Sequence, residues 1–325
     1  MKSFADLYVT CQRRSRNSDT TQLLEFKKDI NTTQQLILAR PWKFLEKTSD
    51  ITTVASQQAY ELPIDCKNNQ ITEVEMRISS TTIYRPKIVE SAKFWEYLLS
   101  RAVDTSNVTQ YVYIYDEKLY CWPTPTTAGY TLRIRHRKIP VDLSADDYVV
   151  GNVLTATNGS AAIVGDTTPT VWATGMAGRY LRITKAAAAN KGDGFWYEIA
   201  SVTDGTNLTL VKNYAGVSIS AAAAYTIGEI PLIPEPYQDL LIYRPLMIYF
   251  MMNGEDMIQA DRFAMMYDGG YEMGKSKVIG GLLGKMIDDL SGSGEGVFLD
   301  NLQPTEPSLS DLSVKNYNFI GDSWV

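Results

Sequence analysis

Tyr111-Val112-Tyr113-Ile114-Tyr115, Asp116-Glu117, Lys118-Leu119-Tyr120-Cys121-Trp122 is the stretch whose reading decides the fold. Two runs rich in β-branched and aromatic residues flank a two-residue polar turn, the pattern of a hairpin with an aromatic face. Pro123-Thr124-Pro125 ends it, because proline cannot donate to a β ladder. Tyr130 to Ile139 reads as the closing strand. Its odd positions put Arg133, Arg135 and Arg137 on one face, while Leu132 and Ile134 point the other way, toward a core. Three arginines on one strand face repel one another unless acids or phosphates lie opposite. That places them at a subunit boundary or facing a channel. Upstream, Thr53-Val54-Ala55 and Gln58 to Pro63 read as short strands, Ile71 to Ile78 as a third, and Ala92 to Leu99 as an amphipathic helix.

Helices flank this β region. Residues 3–16 form a short one ending in Arg13, Arg14 and Arg16. A second is capped by Ser18 or Asp19, carries Leu23, Phe26, Ile30 and Ile37 at helical spacing, and stops at Arg40-Pro41. Toward the C-terminus, Glu235-Pro236 opens a helix whose stretch from Leu240 to Met252 is apolar nearly all round, with Pro245 a point of kinking. Asn253-Gly254 ends it and residues 255–268 form another. Met247, Met251, Met252, Met257, Met265, Met266 and Met273 are expected to fill the core between these helices.

Residues 149–228 differ in composition: 36 of the 80 are Gly, Ala or Thr and nine are charged, against 21% charged for the whole chain. About five short alternating segments there imply a small all-β barrel or sandwich. The expected architecture is α+β. Residues 1–148 and 229–290 make a discontinuous core of terminal helices around a small antiparallel β domain, 149–228 an inserted β module, and 291–325 an extended tail. The tail follows the hinge Ser291-Gly292-Ser293-Gly294 and has too few apolar residues for its own core, so it is expected to order on a partner. Its large anchors are Tyr317, Phe319 and Trp324.

Composition removes most chemistry. Lys and Arg number 31 against 37 Asp and Glu, and seven of those acids lie from Asp288 onward with Lys315 as the only cation there, so residues 1–287 balance. A protein that grips nucleic acid by its phosphates carries a basic surplus, which this chain lacks. Three dispersed cysteines and one histidine offer no zinc spacing, and no metal or other cofactor is expected. His136 sits among Arg135, Arg137 and Lys138, where positive charge opposes the imidazolium that a nucleophilic triad needs, so it reads as a locally satisfied strand histidine. No secretory signal pattern and no membrane-length apolar run is present.

One motif argues for an enzyme. Gly269-Gly270-Tyr271-Glu272-Met273-Gly274-Lys275-Ser276 fits the phosphate-loop pattern residue for residue. Such a loop must follow a buried strand and open a helix, whereas a helix precedes it here and Gly280, Gly281 and Gly284 weaken any helix after it. Nucleotide binding is therefore the lesser reading. A glycan-binding tail protein is the other alternative, resting on the aromatics of 111–122 and 195–197, which alternate as core residues do.

Gln57 to Pro63, Ile71 to Val74, Tyr113 to Pro125, Tyr130 to Ile134 and Ile233 to Ile242 occur in an order and spacing that resembles the head-to-tail adaptor (connector) proteins of short-tailed double-stranded DNA bacteriophages. The resemblance implies a non-enzymatic ring, usually of twelve copies, docked beneath the phage portal protein. It implies a neck location in the virion after assembly in a bacterial host, with double-stranded DNA passing through and tail nozzle or fibre proteins beyond. It points to the portal as the receiver of Tyr317, Phe319 and Trp324.

Overall fold

The computed structural model describes residues 1–66, 71–101, 108–167, 170–185, 192–253, 256–271 and 278–290. In chain order come helices α1 (Phe4–Ser15) and α2 (Thr20–Leu38), then strands β1 (Glu46–Thr52), β2 (Ala59–Glu61), β3 (Ile71–Arg77), β4 (Ile83–Tyr84) and β5 (Lys87–Val89). Helix α3 (Ala92–Ser100) precedes β6 (Tyr111–Tyr115), β7 (Lys118–Trp122) and β8 (Thr131–Arg137). Six strands follow: β9 (Val153–Ala156), β10 (Ala162–Gly165), β11 (Tyr180–Ile183), β12 (Trp196–Val202), β13 (Asn207–Leu210) and β14 (Tyr225–Gly228). The described chain closes with α4 (Leu240–Asn253), α5 (Met257–Tyr267), the short strands β15 (Gly269–Tyr271) and β16 (Val278–Gly280), and α6 (Leu282–Leu290). The class is α+β, as the sequence implies.

Three larger cores organise these elements, and a small fourth cluster of Val89, Trp95 and Leu98 lies where α3 packs beside the hairpin. The first is helical and joins both ends of the described chain. Phe4, Leu7 and Cys11 of α1, Phe26 and Ile30 of α2, Leu240 to Ile242 and Leu246 of α4, and Met286 of α6 are buried together. Helices α1 and α2 begin where the local chemistry supplies a cap. Ser3 accepts from the Asp6 amide while Asp6 accepts from the Ser3 amide, a reciprocal box, and Asp19 accepts from the Thr21 amide.

The second core lies between two four-stranded sheets, ordered β1-β8-β3-β4 and β2-β7-β6-β5. Leu132 and Ile134 of β8 meet Val74 and Met76 of β3 and, across the sandwich, Val112, Leu119 and Cys121. The hairpin of β6 and β7 pairs as read, Tyr113 opposite Tyr120, and its turn residues Asp116 and Glu117 take φ values of 50° and 57°. Left-handed backbone at both positions is what a two-residue turn needs to match strand twist. Two details differ from the sequence reading. Strand β1 starts at Glu46 and Thr53 to Ala55 lie outside it; its polar Glu46, Lys47, Thr48 and Asp50 give no apolar alternation to mark it. Strands β5 and β6 run parallel, which a crossover such as the one containing α3 makes possible. The expected all-antiparallel domain therefore contains one parallel pair. The β6–β7 sheet also shows an aromatic outer face, where Trp95 of α3 stacks on Tyr113 at 5.5 Å.

The third core is enclosed by one six-stranded sheet, ordered β14-β11-β12-β13-β10-β9. Isolated bridges Val153 to Ala223 and Ala156 to Ile219 connect its first and last segments, so it curls toward a barrel around Leu181, Ile199, Tyr214 and Ile227. The sixth strand, β10, escapes a sequence reading because Ala162-Ile163-Val164-Gly165 is short and ends in glycine.

The methionines overturn one expectation. Met251, Met252, Met257, Met265 and Met266 are exposed, with Met252 at 82%, so they do not fill the core. Helices α4 and α5 pack against each other with Phe250 stacked on Phe263 at 5.8 Å, Met247 packs against the helical core as expected, and Met273 lies outside the described residues.

Phe26 is fully buried where α2 meets α4. Phe26→Ala should lower unfolding free energy by about 3–5 kcal/mol in urea titration monitored by circular dichroism.

Candidate functional site

Strand β8 is paired along both edges, and its arginines find their counter-charges on the neighbouring strands. Arg133 lies in register with Asp50 of β1 and Glu75 of β3, and Arg135 with Thr48 and Glu73. The Arg133 guanidinium donates from Nε and Nη2 to the two Asp50 oxygens, both at 2.7 Å, a bidentate fork. Arg135 Nη1 is 3.2 Å from Glu73 Oε2. Arg85 donates to Glu73 at 2.8 Å and to Glu75 at 3.2 Å, and Arg77 holds Glu75 through Nε and Nη2 at 3.0 and 2.8 Å. The outer face of this sheet is thus a ladder of four arginines and three carboxylates, leaving one net positive charge. Repulsion among Arg133 and Arg135 is relieved within the chain. The sequence reading missed Asp50, Glu73, Glu75, Arg77 and Arg85. The signal was the same period of two in Glu73, Glu75 and Arg77 along β3.

Electrostatics follow the geometry. Glu75 is only 7% exposed, and the hydrogen bonds and charge of Arg77, with Arg85 behind it, hold its carboxyl below the ordinary carboxylate range in spite of burial. Asp50 is lowered chiefly by its hydrogen bonds from Arg133.

Arg137, the third arginine of the stripe, does not join the ladder. It turns into a cleft of about 140 Å³ lined by Arg40, Pro41, Trp42, Lys43, Glu46, Ile287 and Leu290. Its Nε is shut off from solvent and has no hydrogen-bond partner among the described residues. His136 faces inward and is fully buried, with Nε2 3.3 Å from Asp65 Oδ1 and Nδ1 buried without a partner among the described residues, so only one of its nitrogens is satisfied.

A second polar cluster joins the six-stranded sheet to the helices. Ser3 Oγ donates to Asp147 at 2.7 Å, Tyr8 and Lys27 donate to Asp146 at 2.8 and 2.7 Å, and the Phe4 amide donates to the Glu229 carbonyl at 2.8 Å. The Glu229 carboxylate accepts from the amides of Ser144 and Ala145. Arg179 of the sheet's β10–β11 connection donates to the Asp146 carbonyl at 2.6 Å. Burial raises the Asp147 carboxyl, while the Lys27 contact lowers that of Asp146. The chain therefore enters and leaves the sheet at one tied point against the start of α1. Gly228 has to be small there: a Cβ would meet Asp147 Oδ1 at 2.6 Å.

The glycine-rich segment lacks the setting of a phosphate loop. Gly269 to Tyr271 is itself a strand, Val278 to Gly280 pairs with it antiparallel, and a helix starts only at Leu282, after Gly281. Lys275 and Ser276 lie outside the described residues, as do Tyr317, Phe319 and Trp324 with the rest of the tail. Cys11, Cys66 and Cys121 are buried thiols outside any disulfide, and burial pushes them up to about 12, 11 and 12. Among the described residues no cluster of ligating side chains could hold a metal, and no helix is long and apolar enough to cross a membrane.

Residues 2–160 match the family model of the SU10 adaptor protein, so the resemblance to phage head-to-tail adaptors holds across α1, α2, the sandwich and β9. No curated protein matches the chain.

A carboxylate whose folded-state value lies below its unfolded one adds stability that is complete above the unfolded value, 4.5 for Glu75, and is lost as pH falls through the folded value. Glu75→Gln should therefore cost roughly 1–3 kcal/mol at pH 7 and much less at pH 3. Urea titrations of both proteins at the two pH values check this.

Proposed function

We propose that this chain is a structural head-to-tail adaptor that forms a ring under the phage portal, extends the DNA channel and joins capsid to tail. The observation that supports it most is the family match over residues 2–160, which takes in α1, α2, α3 and the whole sandwich. In this reading the protein performs no catalysis and needs no cofactor. The ring has the copy number that the resemblance implies, usually twelve. It sits in the virion neck, with the portal on one side, tail nozzle or fibre proteins on the other, and double-stranded DNA passing through.

Arg133 and Arg135 belong, in this reading, to a subunit boundary or the channel wall. The single net positive charge of their ladder suits weak contact with a passing phosphate backbone, since a strong basic patch would hold the DNA. The domains divide as 1–148 with 229–290 for the adaptor core, 149–228 for an inserted β module that serves either as a contact to a neighbouring ring or tail fibre or as a spacer on the ring's outer surface, and 291–325 for a partner-binding tail. Tyr317, Phe319 and Trp324 are the portal anchors, each able to bury apolar area worth roughly 2 kcal/mol on docking.

Negative-stain images of the purified protein mixed with portal rings should show rings capping the portal. Truncation at Ser291 should leave a folded protein that docks far more weakly. Truncated chains that cap portals as well as the full-length protein would remove the anchor role, and full-length protein that forms no ring on portals would remove the adaptor reading.

A further inference from the structure

The cleft beside Arg137 has the chemistry of a receptor for an apolar segment that carries a carboxylate. Arg40, Lys43 and Arg137 line it against Glu46 alone, and none of the three cations is in an ion pair among the described residues. The Arg137 Nε is removed from solvent and lacks an acceptor among the described residues. A buried donor of this kind costs stability until an acceptor reaches it. Pro41, Trp42, Ile287 and Leu290 supply an apolar wall, and Trp42 is fixed there by its indole N–H donating to the Ile37 carbonyl at 2.7 Å.

Position selects the occupant. Leu290 is both a wall of the cleft and the last residue of α6, whose neighbour Asp289 is held by the Tyr237 hydroxyl. The chain then continues as Ser291-Gly292-Ser293-Gly294-Glu295-Gly296 and Val297-Phe298-Leu299-Asp300. Six Gly, Ser and Glu residues can span up to about 20 Å, ample for the chain to reverse and return to the wall it has just left. The tail carries one cation against five acids, whereas residues 1–287 balance, so negative charge is concentrated in the segment tethered beside three free cations. Tethering at this length supplies an effective concentration of about millimolar, which favours the tail over any free acidic peptide.

We propose that residues 297–300 of the same chain fold back into this cleft, with Phe298 and Leu299 against Trp42, Ile287 and Leu290 and the Asp300 carboxylate accepting from Arg137. The contact anchors the base of the tail and fixes the direction in which the remaining residues leave the molecule. It is independent of the adaptor reading, because it concerns a single chain.

Chymotrypsin tests it on the full-length protein without portal, by mass spectrometry of timed digests. Cleavage after Phe298 should be roughly tenfold slower than cleavage after Tyr317 or Phe319 in the same molecule. Arg137→Gln or Asp300→Asn should erase that difference, leaving the downstream cuts unchanged. The charge reversal Arg137→Glu should erase it too, and Arg137→Glu with Asp300→Arg should restore it. Equal cleavage at Phe298 and Phe319 in the unaltered chain overturns the proposal, as does protection that survives Arg137→Gln. Protection that falls on dilution overturns it in favour of a neighbouring copy as donor of the segment.

Discussion

Strand β8 is the element on which the rest of the N-terminal half depends, because it alone satisfies three demands at once. Its backbone is hydrogen-bonded by β1 on one edge and β3 on the other. Its even-numbered residues Leu132, Ile134 and His136 are fully buried, and its odd-numbered arginines face outward. A slip of one residue would carry three arginines into the core and expose two large aliphatic side chains, so the register is fixed by burial. The acids of β1 and β3 then reinforce that register from outside. The cost of ordering long charged side chains is shared, since Glu73 and Glu75 each serve two arginines.

The same economy of contacts ties the larger units together. Both crossings between the helical core and the six-stranded sheet meet the capped start of α1, through Ser3, Phe4, Asp146, Asp147 and Glu229. The capping box of α1 thus fixes a helix end and, through Ser3, the position of a sheet that follows more than a hundred residues later. Trp196 adds to this by donating to the Met1 carbonyl at 3.2 Å. In an assembled ring, such a joint would transmit the placement of the N-terminal helices to the outlying sheet.

Legibility in the sequence tracked how strongly each segment had to bury one face. The β6–β7 hairpin, β8, α1 and α2 show clean periodicities and capping residues, and they lie where the sequence put them. Strand β1 was half missed because one edge and one face are exposed, so Glu46 to Asp50 is polar throughout. The methionines of α4 and α5 were misplaced because hydrophobicity alone cannot distinguish a core face from an exposed one, as Met252 shows. At the candidate site the arginine stripe was visible, but the acids that pair with it were not, since cross-strand pairing depends on which strands become neighbours. Nothing local in Arg137 announces that it leaves the ladder for a cleft closed by Leu290, about one hundred and fifty residues away in the chain.

If β8 is the strand that holds the sandwich together, its amides must exchange only when the whole sandwich opens. Native-state hydrogen exchange resolved by peptide mass spectrometry measures this directly. Amides of Leu132 to His136 should be the slowest of the sandwich and should respond to denaturant with the full slope of unfolding. Exchange at β8 through a smaller opening, while the β6–β7 hairpin stays protected, would contradict the account.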